Sequence, residues 1–162
     1  MKNKNITFMT QAAMIAAIYV VLTYLFSTFS FGEVQIRISE ALTILPIFTP
    51  AAVPGLLVGC LIGNILGGAI LPDIIFGSIA TLIGAVCTYK LRNTKPWIAA
   101  LPPIISNAII VPFVLRFGYG VTLPIPLMMC TVGIGEIVSC EVLGLILYYA
   151  LKKYSRNVFA MQ

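Results

Sequence analysis

The chain has 162 residues, 60% of them apolar and 9% charged, against about 25% charged in an ordinary soluble domain, which excludes a water-soluble globule. The absence of His and the lack of any C-x-x-C pair among Cys60, Cys87, Cys130 and Cys140 leave no set of soft metal ligands. The net charge of +5 is not interleaved with aromatics in a nucleic-acid-binding patch. At about 20 residues per span, this length accommodates roughly six transmembrane helices in a single membrane domain over 1–162.

Residues 5–32 form the first charge-free run. It has no Ala-x-Ala cleavage site and is followed by further apolar spans, so it reads as helix 1, about 8–31, rather than as a leader. The run 41–72 is too long for one straight span and carries Pro46, Pro50 and Pro54. Breaking it at Thr49-Pro50-Ala51-Ala52-Val53-Pro54 gives a short helix 2, about 39–49, and helix 3, about 53–71. Leu71-Pro72-Asp73 is the turn into helix 4, about 74–91, and Asp73 is placed to cap that helix. Helix 5 follows at about 97–116 and helix 6 at about 125–152. The four cysteines lie inside apolar runs and read as small core residues.

Lys and Arg collect on the cytoplasmic side of membrane proteins with short loops. With six crossings and a cytoplasmic N-terminus, Lys2, Lys4, Lys90, Arg92, Lys95, Lys152, Lys153 and Arg156 all fall inside, and only Arg37 and Arg116 fall outside. A five-span count gives a much weaker bias. An all-helical bundle of six spans with both termini cytoplasmic is therefore the expected fold, in a cell membrane.

Polar groups inside such spans are expensive, at least about 2.5 to 3.5 kcal/mol for a charge. Those present are Arg37, Glu40, Asn64, Asp73, Asn107, Glu136 and Glu141, and all but Glu141 measure to the outer half. Glu136 lies about 16 Å into helix 6 with no Lys or Arg one turn away. Bland roles exist for the others: Arg37 can pair locally with Glu33 and Glu40, and Asn64 and Asn107 can bond between helices. Together the layer fits an outward-open pocket for a polar, hydrogen-bonding solute.

Small residues recur at Gly55, Gly59, Gly63 and Gly67, and at Ala12/Ala16 and Ala13/Ala17. Both series are surfaces for close helix approach. No phosphate-binding loop, H-E-x-x-H or nucleophile with a His base is present. The chain is thus expected to hydrolyse nothing and to bind no cofactor. It is either an ion-coupled carrier or a capture subunit energised by partners.

The runs Arg37-Ile-Ser-Glu40-Ala-Leu-Thr-Ile-Leu-Pro46, Gly55-Leu-Leu-Val-Gly59-Cys-Leu-Ile-Gly63-Asn64, Asp73-Ile-Ile-Phe-Gly-Ser-Ile-Ala-Thr81-Leu, Pro102-Pro-Ile-Ile-Ser-Asn107-Ala and Gly133-Ile-Gly-Glu136 resemble the queuosine-precursor transporter (QueT) family. These are substrate-binding S-components of energy-coupling factor (ECF) transporters. The resemblance implies a six-helix protein that captures a 7-deazaguanine, foremost 7-aminomethyl-7-deazaguanine (preQ1). It implies docking to a transmembrane scaffold subunit driven by two ATPases that hydrolyse the ATP, through Ala12 and Ala16 or Ala13 and Ala17. It also implies toppling in the bilayer, with the loop 30–39 as a gate. On this basis Glu136 or Glu40 takes the guanine edge and a second acid, Glu40 or Asp73, takes the amine. The carbonyl O6 accepts from Asn64, Asn107 or Arg37, and Phe29, Phe31, Phe117 or Tyr119 stacks on the ring. The alternatives are an S-component for another vitamin and a self-sufficient proton-coupled carrier.

Overall fold

The computed structural model describes residues 4–26 and 37–154, and every regular element among them is helical. We number them α1 (Lys4–Leu25), α2 (Ile38–Ile47), α3 (Ala52–Leu66), α4 (Leu71–Lys90), α5 (Pro96–Phe117) and α6 (Ile125–Lys152). Four of these, α1, α4, α5 and α6, are long and apolar enough to cross a membrane.

Side-chain pairings fix the helix directions. Tyr19 meets Glu40 and Gln11 meets Thr49, so α1 and α2 are antiparallel. The pairs Thr88 with Ala99 and Ser106 with Ala80 make α4 and α5 antiparallel. Ala12 packs on Gly55, Ala16 on Gly59 and Thr23 on Gly63, so α1 and α3 run parallel. The chain therefore alternates direction from helix to helix. Lys4, the 91–95 connection and Lys152 share one end of the bundle, and Arg37, Asp73 and Arg116 share the other.

The elements depart from six plain α-helices at several places. Helix α2 is a 3-10 helix over ten residues, eight of them buried, where such runs rarely exceed four. It is enclosed by α1, α3, α4 and α6, which buries its apolar residues together with Ser39, Glu40 and Thr43. Its far end turns at Thr49, whose Oγ1 accepts from the Ala51 amide at 3.3 Å. Asp73 does not cap α4; Ile70 occupies that position and Asp73 sits in the first turn. Helix α5 starts with a separate turn, Pro96–Ala99, before Leu101–Phe117. In α6 the α-helix ends at Glu136 and gives way to a π-helical stretch, Ile137–Leu143, before α-helix resumes at Gly144. Wide turns of that kind concentrate at functional sites.

Two apolar clusters bracket the interior. One joins Ile15, Tyr19, Leu42, Leu45, Leu56 and Cys60 at the lysine-bearing half. The other joins Val111, Leu115, Met128 and Val132 between α5 and α6 near the opposite end.

Candidate functional site

Glu40, Glu136, Asn64, Asp73, Asn107 and Arg37 are each 2% exposed or less, so the bundle has withdrawn all six from lipid and from water. They come from five helices and form two linked groups.

The first group is an acid pair. Donor atoms of Glu40, Glu136 and Cys140 all lie within 4.8 Å of one another. Glu40 is presented from the first turn of α2, where its Oε1 accepts from the Tyr19 hydroxyl on α1 and from Thr81 Oγ1 on α4 at 3.4 Å. Its Oε2 is buried without a hydrogen-bond partner. Glu136 closes the α-helical part of α6, and its Oε2 accepts from Cys140 Sγ one turn later at 3.2 Å. Cys140 is also approached by Thr43 Oγ1 at 3.5 Å. Asn107 on α5 lies beside Glu136, and its Nδ2 has no bond of good geometry. Two carboxylates this close repel by roughly 3 to 4 kcal/mol at an effective dielectric of about 20, and a cation seated between them relieves that repulsion. Among the described residues this is also the one group of His, Cys, Asp and Glu side chains that converges enough to grip a metal.

The second group centres on Asp73. Its Oδ2 is 3.5 Å from Arg37 Nη2 and accepts from the Tyr119 hydroxyl at 3.1 Å. The Asp73 carbonyl receives Asn64 Nδ2 at 3.5 Å, and the Tyr119 oxygen accepts from the Ile70 amide at 3.4 Å. Gly77 makes room for this group, since a Cβ there would sit 3.2 Å from Asp73 Oδ1 and 3.3 Å from Asn64 Nδ2. Burial, then the negative Asp73, hold the Tyr119 phenol above its ordinary pKa, so it remains a donor at neutral pH. Cys60 joins the two groups, accepting from Asn64 Nδ2 at 3.5 Å and from Thr81 Oγ1 at 3.4 Å.

The remaining sequence candidates fall elsewhere. Phe117 is 77% exposed, stacks on Phe113 with centroids 6.5 Å apart, and lines an apolar groove with Phe76 and Ile109 that none of the acids reaches. Glu141 is half-buried, with its Oε2 unpartnered. Ala12 and Ala16 face the glycines of α3, whereas Ala13 and Ala17 are exposed. Phe29, Phe31, Glu33 and most of the 30–39 loop lie outside the described residues.

Sequence reasoning missed Tyr19, Thr81 and Cys140 as members of the site. A signal existed for two of them: Cys140 stands four residues after Glu136, and Thr81 stands four after Gly77 and eight after Asp73, on one helical face. Nothing in the sequence ties Tyr19 to Glu40, 21 residues away.

The family model for the QueT transporter matches residues 9–153. No curated protein and no solved structure matches the chain.

Proposed function

The chain belongs to the QueT transporter family, and we propose that within it this membrane protein is the substrate-capture subunit of an ECF-type importer for a 7-deazaguanine, foremost preQ1. In this reading all six helices cross the bilayer with both termini cytoplasmic, and the polar layer opens outward. Lys4, Lys90, Arg92, Lys95, Lys152 and Lys153 lie at the end assigned to the cytoplasm, as the charge bias of short-looped membrane proteins requires.

The observation that carries the reading is the buried Glu40–Glu136 pair with a free carboxylate oxygen and the Asn107 amide beside it. A guanine edge offers two parallel donors, N1–H and the 2-amino group, and the Glu136 carboxylate accepts both in a bidentate arrangement. The Asn107 amide donates to O6. The aminomethyl cation takes the unpartnered Glu40 Oε2, where it also relieves the repulsion between the acids. Asp73 faces Arg37 and Tyr119 through its Oδ2 and has its Oδ1 without a hydrogen-bond partner, and because the Arg37 guanidinium already stands beside it the amine is assigned to Glu40.

No ATP-binding sequence is present, so energy is supplied by two ATPase subunits through a transmembrane scaffold subunit. Docking uses the Ala13–Ala17 face of α1, because the Ala12–Ala16 face is filled by Gly55 and Gly59. A thermal-shift panel tests the reading: preQ1 raises the unfolding temperature of the purified chain and unrelated vitamins do not. Uptake into proteoliposomes containing this chain alone, without scaffold and ATPases, would contradict it and favour a self-sufficient carrier.

A further inference from the structure

Cys140 has no part in the capture reading, yet it completes a set of metal ligands. Glu136 and Cys140 stand four residues apart in α6, the spacing that puts two side chains on one helical face and lets a helix grip a single ion. Cys140 Sγ lies 3.2 Å from Glu136 Oε2. Glu40 meets them from α2, so that one donor atom from each of the three lies within 4.8 Å of the other two. With metal–oxygen bonds of about 2.0 to 2.2 Å and a metal–sulfur bond of about 2.3 Å, one ion bridges all three once the side chains turn slightly toward it. The surroundings are those of a prepared ligand set. Glu40 Oε1 is held by the Tyr19 hydroxyl and by Thr81 Oγ1 at 3.4 Å, outer hydrogen bonds of the kind that orient a ligating carboxylate, and Oε2 is left buried without a partner. Asn107, 2% exposed, lies beside Glu136 from α5 with its Nδ2 also unpartnered. A half-turn of that amide presents Oδ1 instead, a neutral fourth ligand. Thr43 Oγ1 stands 3.5 Å from Cys140 Sγ, placed to donate to the sulfur when it is a thiolate.

We infer that Glu40, Glu136, Cys140 and Asn107 form a binding site for a divalent cation of the zinc class. Two carboxylates and a thiolate favour such a borderline ion over magnesium or calcium, which take oxygen ligands. On binding, Cys140 releases to solvent the proton it now shares with Glu136, and a metal–sulfur bond replaces that hydrogen bond. The ion also takes up the repulsion between the two acids. The ligands come from three helices and only the Glu136–Cys140 step is local, which is why no run of the sequence displays the set. The site goes beyond the capture reading and does not depend on it; an ion and the amine of a captured ligand use the same seat, one at a time.

The test uses the full chain in detergent with Co²⁺ alone as probe, because a cobalt–thiolate bond absorbs in the near ultraviolet. Titration gives one Co²⁺ per chain, a sulfur charge-transfer band, and an unfolding temperature that rises with Co²⁺ concentration. Cys140→Ser removes the band, whereas Cys130→Ser, at an exposed thiol, keeps it. Glu40→Gln retains the shape of the side chain and weakens Co²⁺ binding about ten-fold or more, since even the loss of an outer partner of a metal ligand has that effect. Absence of the band in wild type overturns the inference. So does a band that survives in Cys140→Ser, or a Co²⁺ affinity unchanged in Glu40→Gln. Because preQ1 takes no part in these measurements, its failure to bind would bear on the capture reading alone.

Discussion

The seam between α1 and α3 and the polar layer drawn from α2 to α6 both lie inside the bundle, yet they are held in opposite ways. The seam uses shape alone. Gly55 and Gly59 have no side chain, and a Cβ at either would fall 2.7 Å from Ala12 O or 2.8 Å from Tyr19 Cβ. The polar layer is crowded with hydrogen-bonding groups and leaves several of them unpaired, including Glu40 Oε2, Ser78 Oγ, Asn107 Nδ2 and Ser139 Oγ. Native interiors pair nearly all such atoms. The seam is thus made from small residues at close range, while the polar layer is left short of partners. Tyr19 belongs to both, packing its Cβ over the Gly59 position and giving its hydroxyl to Glu40.

Breaking the seam is expected to have the largest effect. Gly59→Leu forces α1 off α3 and costs about 3 kcal/mol through overpacking, read as loss of folded protein in size-exclusion chromatography. It also displaces Tyr19 and so damages the site. Ala17→Leu is its contrast on the same helix. The position is exposed, so the unfolding temperature and ligand binding hold while copurification with the scaffold subunit is lost. Equal harm to folding from both variants would erase the distinction between the two faces of α1. The smallest effect belongs to Tyr119. Its phenol is raised by burial and by Asp73, so its contribution to stability is present below the ordinary phenol value near 10 and fades as pH rises beyond it. Unfolding temperature measured against pH shows that alkaline decline, and Tyr119→Phe flattens part of it.

Much of the fold was legible because membrane spans announce themselves by the absence of charge. The 41–72 run and its prolines placed the break at residues 49–54, and α2 and α3 meet there. The four-residue glycine spacing marked a close helix contact, though not its partner, since a small residue says how near a neighbour comes and not which one. The 3-10 winding of α2 and the π turn after Glu136 were not legible. Both depend on how the surrounding helices squeeze or stretch the backbone, and composition carries no trace of that. Asp73 looked like a cap because it follows Pro72, but Arg37 and Tyr119 reach it from distant parts of the chain and engage its carboxylate. The polar residues were easy to find because a bilayer makes them costly. Their division into an acid pair and an Arg37–Asp73 group required the geometry.

The account turns on the Glu40–Glu136 pair as the seat of a cationic 7-deazaguanine. Isothermal titration of preQ1 into the purified chain, without scaffold or ATPases, tests this most directly when repeated on Glu136→Gln. One-site binding by wild type and a loss of about 100-fold in the variant, about 2.7 kcal/mol, is the expected result, with the variant's unfolding temperature no lower than that of wild type because the repulsion between the acids is gone. An unchanged dissociation constant in Glu136→Gln would contradict the account.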